Sequence, residues 1–231
     1  DFKAAVLMKG QARAADPGGV GRALAEKAKR MGAVFHRVGV HRIQPDPKGG
    51  WTIHTDDGEL EAERLVIAAG AWSARLLAPL GYKLPLEAER GYHLVFKDPG
   101  ITLNNSIMDA DAKFVASSMA AGVRCAGTAE FAGLDTPPDY RRARIFIRLA
   151  KNLLPDINTE DRIEWMGNRP SFPDSLPCLG KIPGQEGLFC AFGHSHYGFG
   201  MAPNTGRVIA EVVAGALPNI DLEPYRVDRF R

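Results

Sequence analysis

The sequence predicts a mixed architecture, α/β plus α+β, in which an α/β unit carries an inserted antiparallel sheet. Two continuous apolar runs, Leu65-Val66-Ile67-Ala68-Ala69-Gly70 and Leu188–Phe192, each lead toward a helical pattern, the second across a glycine-rich loop. Runs of that kind suit parallel strands buried on both faces. Between them, from Pro85, the texture changes to segments that read as strands of an antiparallel sheet.

The elements follow in order. Residues 4–8 are a short apolar run read as a strand. Asp16-Pro17 supplies an N-cap with proline at the first helical position. Val20, Leu24, Ala28 and Met31 then share one helical face, and Gly32 ends the helix. A strand is expected over Ala33–Val38. Trp51, Ile53 and Thr55 alternate with polar residues ahead of Asp57-Gly58, a strong hairpin turn. Leu65–Gly70 is followed at once by a helix over Ala71–Leu80. Strand, helix, strand, hairpin, buried strand and helix together suggest part of an α/β nucleotide-binding domain. Residues 89–96, 101–108, 113–119 and 123–130 read as antiparallel strands, the last two joined by Ala120-Ala121-Gly122. Thr136-Pro137 opens a helix through Leu154 with Ile145, Leu149, Leu153 and Leu154 on one face. Ile163–Met166 is another strand, and a last helix is expected over Pro203–Ala216.

Composition narrows the function classes. The 231 residues are 45% hydrophobic and 24% charged, with a formal net charge of only +2. That balance speaks against a nucleic-acid partner, which calls for a strongly basic face. No apolar run is long enough to span a bilayer. Cys125, Cys178 and Cys190 are widely spaced and form no CxxC pair, so they read as small buried hydrophobes. Their usage fits a reducing, cytoplasmic setting; a peripheral place at the inner membrane stays open. The start, Asp1-Phe2-Lys3-Ala4, reads as the middle of a longer protein.

Two stretches could carry chemistry. Gly193-His194-Ser195-His196-Tyr197-Gly198-Phe199-Gly200 lies between a buried strand and a helix. Glycines there let backbone N–H groups approach a ligand, and the helix N-terminus adds partial positive charge. The plainer reading is a flexible connection. His194 and His196 lack a carboxylate or cysteine at ligand spacing, so no metal is expected. His36, His41, His54 and His93 lie on predicted strands and read as structural. In the second stretch, Trp165 to Gly180, Arg169 ends a strand ahead of a proline-stiffened loop. A guanidinium fork held there suits a carboxylate, or equally an ion pair that links domains. The cluster Arg141, Arg142, Arg144 and Arg148 reads as a solvated helix face. No GxSxG elbow, HExxH or P-loop lysine motif occurs.

These motifs, taken in order, resemble the FAD-dependent D-amino acid oxidase superfamily, in the branch with glycine oxidase and bacterial D-amino acid dehydrogenase. The likeness runs through Asp16-Pro17, Leu65–Gly70 with Ala71-Trp72-Ser73, Gly91-Tyr92, Ala126-Gly127-Thr128, and Gly167-x-Arg169-Pro170 with Pro173-Asp174-x-x-Pro177-x-x-Gly180. It continues through Gly193-His194 to Ala202-Pro203-x-x-Gly206 and ends on Pro224-Tyr225-Arg226-Val227-Asp228-Arg229.

The resemblance implies a partial FAD-binding Rossmann-like domain over 13–84 and 176–217, a substrate domain over 1–12 and 85–175, and a C-terminal tail at 218–231. It implies that Arg169 binds a substrate carboxylate, that His196 faces the substrate, and that Tyr92 stands in for a pocket tyrosine. His196 departs from glycine oxidase, where the matching position resembles an arginine. Val40, Ala69, Gly70 and Trp72 would approach the cofactor, and Gly193, His194, Ser195, Tyr197, Gly198, Phe199 and Gly200 would wrap its flavin. Ser171 falls where some relatives carry a flavin-linking cysteine, which implies non-covalent FAD. No GxGxxG follows a strand here, so the dinucleotide-binding βαβ is expected on a missing N-terminal segment. The implied activity is FAD-dependent oxidative deamination of a small amino acid or amine by hydride transfer to flavin N5, with no side-chain base required if the amine arrives neutral, and the fragment alone is expected to be inactive. The alternatives are a superfamily oxidase of another anionic substrate, such as an N-methyl amine or hydroxy acid, or a non-catalytic subunit. Homo- or hetero-oligomers are both open.

Overall fold

The computed structural model describes residues 2–230. In chain order its elements are α1 (Pro17–Arg30), β1 (Val40–Pro45), β2 (Trp51–Thr55), β3 (Gly58–Ala62), β4 (Leu65–Ile67), α2 (Ser73–Leu77), β5 (Glu87–Phe96), β6 (Ile107–Asp109), β7 (Phe114–Met119), β8 (Gly122–Ala126), β9 (Glu130–Phe131), α3 (Arg141–Leu153), β10 (Arg162–Ser171), β11 (Cys178–Lys181), β12 (Leu188–Phe192) and α4 (Gly198–Val213). They fall into two compact units. One holds the chain up to Phe35 with Leu94–Ala126 and Arg144–Glu164; the other holds His36–His93, Gly127–Ala143 and Trp165 onward. Among the described residues no helix is long and apolar enough to cross a membrane.

In the first unit, β6, β7 and β8 form an antiparallel meander with Val115 opposite Ala126 and Ile107 opposite Ala116. Gly122 turns the β7–β8 hairpin at φ +126°, and a Cβ there would collide with the Phe96 carbonyl. Arg13 ties down the early chain by donating from Nε to the Ser118 carbonyl at 3.0 Å and from Nη1 to that of Asn104 at 3.1 Å. Helix α3 starts later than the Thr136-Pro137 signal, because Asp139 accepts the Arg141 N–H and acts as the cap. Its buried stripe is Ala143, Phe146 and Ala150, not Ile145, which is exposed. Phe146 packs on Phe114 with ring centroids 6.0 Å apart.

Helix α1 forms as its signals require. The Asp16 side chain accepts the Gly19 N–H at 2.8 Å, Pro17 opens the helix, and Lys27, Lys29 and Arg30 sit at its negative end. It buries no side chain, and Val20, Leu24 and Met31 stay exposed. The strands expected at 4–8 and 33–38 do not form. A strand exists only through hydrogen bonds to a neighbour, and neither segment pairs with a described strand. Val6, Leu7, Met8, Val34 and Phe35 are accordingly exposed.

The second unit contains the meander β1-β2-β3, turned at Asp57-Gly58 with Thr55 opposite Gly58. It also contains the short sheet β11-β12-β4. Strands β12 and β4 are parallel, with Leu188 beside Leu65 and Cys190 beside Ile67. Their C-terminal ends therefore open on the same side of the sheet. Ile43, Trp51, Ile67, Leu77, Phe172, Leu188, Cys190 and Phe192 share one core. The Trp51 indole reaches the Glu186 carbonyl at 2.9 Å. On the other face, Val208 and Val212 of α4 pack on Phe189, each buried valine contributing roughly 1.5–3 kcal/mol. The helix expected over Ala71–Leu80 is broken into a 3-10 turn at Gly70–Trp72, α2, and a second 3-10 turn at Ala78–Leu80 containing Pro79. Gly81 at φ +90° ends it.

Candidate functional site

The β5 and β10 strands place alternate side chains on one face. On β10 that face carries Trp165, Gly167, Arg169 and Ser171; on β5 it carries Glu87, Glu89, Gly91 and His93. The pairs meet. His93 stacks on Trp165 with centroids 4.6 Å apart. The Arg169 guanidinium lies against Gly91, where a Cβ would come within 2.1 Å of Nη2 and 2.3 Å of Cζ. Ser171 Oγ donates to Glu89 Oε2 at 3.0 Å.

Glu89 is the hub. Its Oε1 accepts from Arg169 Nη1 at 3.3 Å and from His196 Nε2 at 2.8 Å. A carboxylate is acceptor-only, so in this contact His196 donates from Nε2. Only 11% of the Glu89 side chain is exposed, against 25% for Arg169 and 54% for His196. Three side chains surround the Glu89 carboxylate: Arg169, Ser171 and His196. Arg169 spends Nη1 on Glu89 and, at 3.5 Å, on the Thr128 carbonyl. Its Nε and Nη2 have no hydrogen-bond partner among the described residues.

The loop after β12 supplies the other wall. Gly193 at φ +86° lets the chain turn directly over Phe172, whose ring would lie 2.4 Å from a Cβ there. The Ser195 N–H donates to the Pro170 carbonyl at 3.0 Å, which anchors the loop to the end of β10. Ser195 itself adopts φ +48°, and its hydroxyl is buried without a hydrogen-bond partner. His194 turns inward: Nε2 lies 3.0 Å from Thr205 Oγ1, and burial lowers its pKa from 6.5. Helix α4 begins at Gly198 rather than at Pro203, with Tyr197 at its cap and Pro203 inside. Gly198, Phe199 and Gly200 are thus its first turn rather than loop.

Glu87, Glu89, Phe131, Ser171, Ser195 and His196 line a cavity of about 390 Å³, closed on one side by Phe172, Pro173 and Ser175. Arg229 steadies that side. Its guanidinium binds Asp174 at 2.8 Å and the Leu176 carbonyl at 2.6 Å, and stacks 5.0 Å from the Phe172 ring. A larger hollow, about 580 Å³, lies against α2 and contains none of the predicted site residues.

Arg169 and the loop from Gly193 therefore meet at one place, through Glu89. Tyr92 stands elsewhere. It is 1% exposed, donates its hydroxyl to Glu130 at 2.7 Å and accepts the Asp139 N–H at 3.1 Å. It shares the opposite face of β5 with Arg90, whose Nε lies 3.4 Å from Glu130. Ala69 and Gly70 sit at the end of β4, with Trp72 exposed beside them. Val40 opens β1 and is exposed. Tyr197 and Phe199 are exposed next to the loop. Glu87, Glu89 and Phe131 were missed from sequence; the only signal was an acidic residue two positions from Gly91 on a strand with a buried partner.

An α/β unit with parallel strand ends opening beside a charged, half-enclosed cavity defines a ligand-binding oxidoreductase-type scaffold only together with its relatives. The chain matches the family model FAD dependent oxidoreductase over residues 1–212, and it belongs to that family. A D-amino-acid oxidase of Bradyrhizobium diazoefficiens is 37% identical over 97% of this chain and 54% of its own length. A glycine oxidase of Pseudomonas aeruginosa is 29% identical over 97% of this chain and 62% of its own length. Among solved structures, glycine oxidase from Geobacillus kaustophilus superposes with a TM-score of 0.79 at 28% identity, covering 90% of this chain and 56% of that one. The chain spans about half the length of the first relatives it matches, 54% and 50%.

Proposed function

We propose that the complete protein oxidises a small amino acid or amine at the carbon bearing nitrogen, with non-covalently held FAD. The residues present fit the flavin end of that cofactor. The buried Ser195 hydroxyl has no partner, and the first turn of a 16-residue helix follows three residues later, where unpaired N–H groups stabilise negative charge. Cβ atoms at Gly70 and Gly200 would meet open space. The ends of β4 and β12 open together, the position at which open α/β sheets bind ligands. Ala69, Gly70, Trp72 and the segment Gly193 to Gly200 would hold it, with Val40 toward the adenine end. Ser171 offers a hydroxyl already committed to Glu89 rather than a thiolate, which supports non-covalent binding.

When bound, FAD supplies the two-electron acceptor for a hydride leaving the substrate carbon. The chain's own residues do the positioning. Arg169 presents Nε and Nη2 to a substrate carboxylate, which fixes the neighbouring carbon in place. His196 and Ser195 wall the cavity, and Phe131 and Phe172 add apolar surface to it. The imine product is hydrolysed by water after the oxidation. The convergence of Arg169 and His196 on Glu89 carries this reading. Its test is Arg169→Ala in the complete protein: KM for amino acids rises on the order of a hundredfold, while the flavin absorbance stays stoichiometric. Unchanged kinetics refute it.

A further inference from the structure

We propose that Glu89 is a specificity-determining residue that receives the substrate's cationic nitrogen, so that the pocket selects zwitterionic amino acids over anions that lack a positive nitrogen. This rests on the reading of Arg169 as the carboxylate anchor.

The charges around the cavity lead there. Its lining contains two carboxylates, Glu87 and Glu89, one imidazole, His196, and no lysine or arginine. Arg169 lies beside Glu89, with Nη1 3.3 Å from Oε1. The carboxylate of a hydroxy acid, or a phosphate, could take the free N–H groups of Arg169, but it would set a second negative charge beside Glu89 in a half-enclosed space with no positive nitrogen to face it, where like charges repel strongly.

A zwitterion avoids that cost. The Arg169–Glu89 contact is a single bond at 3.3 Å on Nη1, long for a charge-assisted pair and not bidentate. The remaining guanidinium N–H groups are free to take a carboxylate, and the ammonium beside that carboxylate then faces Glu89. One ion pair becomes two, and the net charge of the site is unchanged; the bound ammonium must then give up one proton, to Glu89 or to water, before the hydride leaves the neighbouring carbon. Glu89 needs no rearrangement to serve, because Ser171 holds Oε2 at 3.0 Å and His196 holds Oε1 at 2.8 Å. With the Arg169 bond these make three donors, and a fourth is still compatible, since a carboxylate offers about four lone-pair sites.

The register of the strands supports an assigned role. Glu89 lies opposite Phe131 and Arg90 opposite Glu130, so Glu89 and Phe131 face the cavity while Arg90 and Glu130 pair on the other side. The acid at 89 is thus not the mate of the buried arginine next to it in sequence.

The experiment uses the flavin-loaded complete protein and two probes, D-alanine and propionate, which differ by the ammonium group. In the wild type D-alanine is bound the more tightly. In Glu89→Gln, KM for D-alanine rises about tenfold or more and Kd for propionate, read from the flavin spectrum, falls about tenfold, each corresponding to one unit of log K. Opposite signs cannot come from a loosened fold. Loss of both ligands in parallel, or no change in either, overturns the proposal. Glu89→Asp keeps the wild-type preference at weaker affinity. If Glu89→Gln does not fold, the wild type decides: propionate binding as tightly as D-alanine overturns the proposal, and at least tenfold weaker binding supports it. Failure of the parent reading looks different, because there Arg169→Ala leaves D-alanine kinetics untouched.

Discussion

Replacing Gly91 by alanine separates the position of the Arg169 guanidinium from its charge. The backbone at Gly91 is outside the left-handed region, so alanine brings no torsional penalty. The new methyl would lie 2.1, 2.3 and 2.5 Å from Nη2, Cζ and Nη1 of Arg169. Ordinary contact begins near ~3.5 Å, so the guanidinium must withdraw by roughly 1.4 Å. That displacement breaks or redirects the 3.3 Å bond to Glu89 and moves the proposed carboxylate anchor off its mark. Misplacement by about 1 Å costs on the order of a hundredfold in rate, or about 2.7 kcal/mol of barrier. The fold is spared, because the yielding atoms are the far end of a flexible side chain. Gly91→Ala in the complete protein should therefore melt within a few degrees of wild type, with a ΔΔG of about 1 kcal/mol or less. Its kcat/KM for amino acids should fall about a hundredfold. Steady-state kinetics beside a thermal melt reads both. Wild-type kinetics would show that the guanidinium position at Gly91 is irrelevant to turnover; a collapsed melt would show that the side chain cannot yield.

Two further outcomes follow from burial. His194 has its pKa lowered from 6.5 by burial, so the unfolded chain takes up a proton that the folded chain refuses. Stability is full above about pH 6.5 and falls as the pH drops below it, and His194→Gln should flatten the urea midpoint against pH between about 7 and 5; an unchanged slope removes the effect. The thiols of Cys178 and Cys125 are pushed up to about 11 and about 12 by burial, and that of Cys190 higher still. A thiol reagent at pH 8 should label none of the three in the native protein and all three after unfolding, and fast native labelling contradicts the packing.

Much of this was legible in the sequence because it is local. Leu65–Ile67 and Leu188–Phe192 announce themselves by composition, Asp57-Gly58 by turn chemistry, and Asp16-Pro17 by capping. Arg169 and His196 stood out as residue types that suit a ligand. Glu89 did not, because its meaning depends on partners 80, 82 and 107 positions away, and an acid on an alternating strand reads as solvent-facing. Tyr92 misled for the same reason: one step along a strand reverses the side chain's direction, and its hydroxyl went to Glu130. The start of α4 was read late because Gly198, Gly200 and Pro203 look like breakers, although the Met201 N–H bonds to the Tyr197 carbonyl at 2.9 Å and closes the first turn. The strands at 4–8 and 33–38 had the right composition and no edge to pair with, which a single segment cannot reveal.

The period-two geometry of β5 has an evolutionary reach. Positions 87 and 89 line the cavity and 91 lies on the same face beneath Arg169, whereas Ala88, Arg90 and Tyr92 are locked into the interior at 4%, 1% and 1% exposure. Substitutions at the odd positions can retune what the protein accepts while the even ones preserve its architecture. An insertion or deletion of one residue would do the reverse, turning an arginine and a tyrosine toward the ligand and driving two acids into the hydrocarbon. Diversification along this strand is therefore open to point changes and closed to length changes.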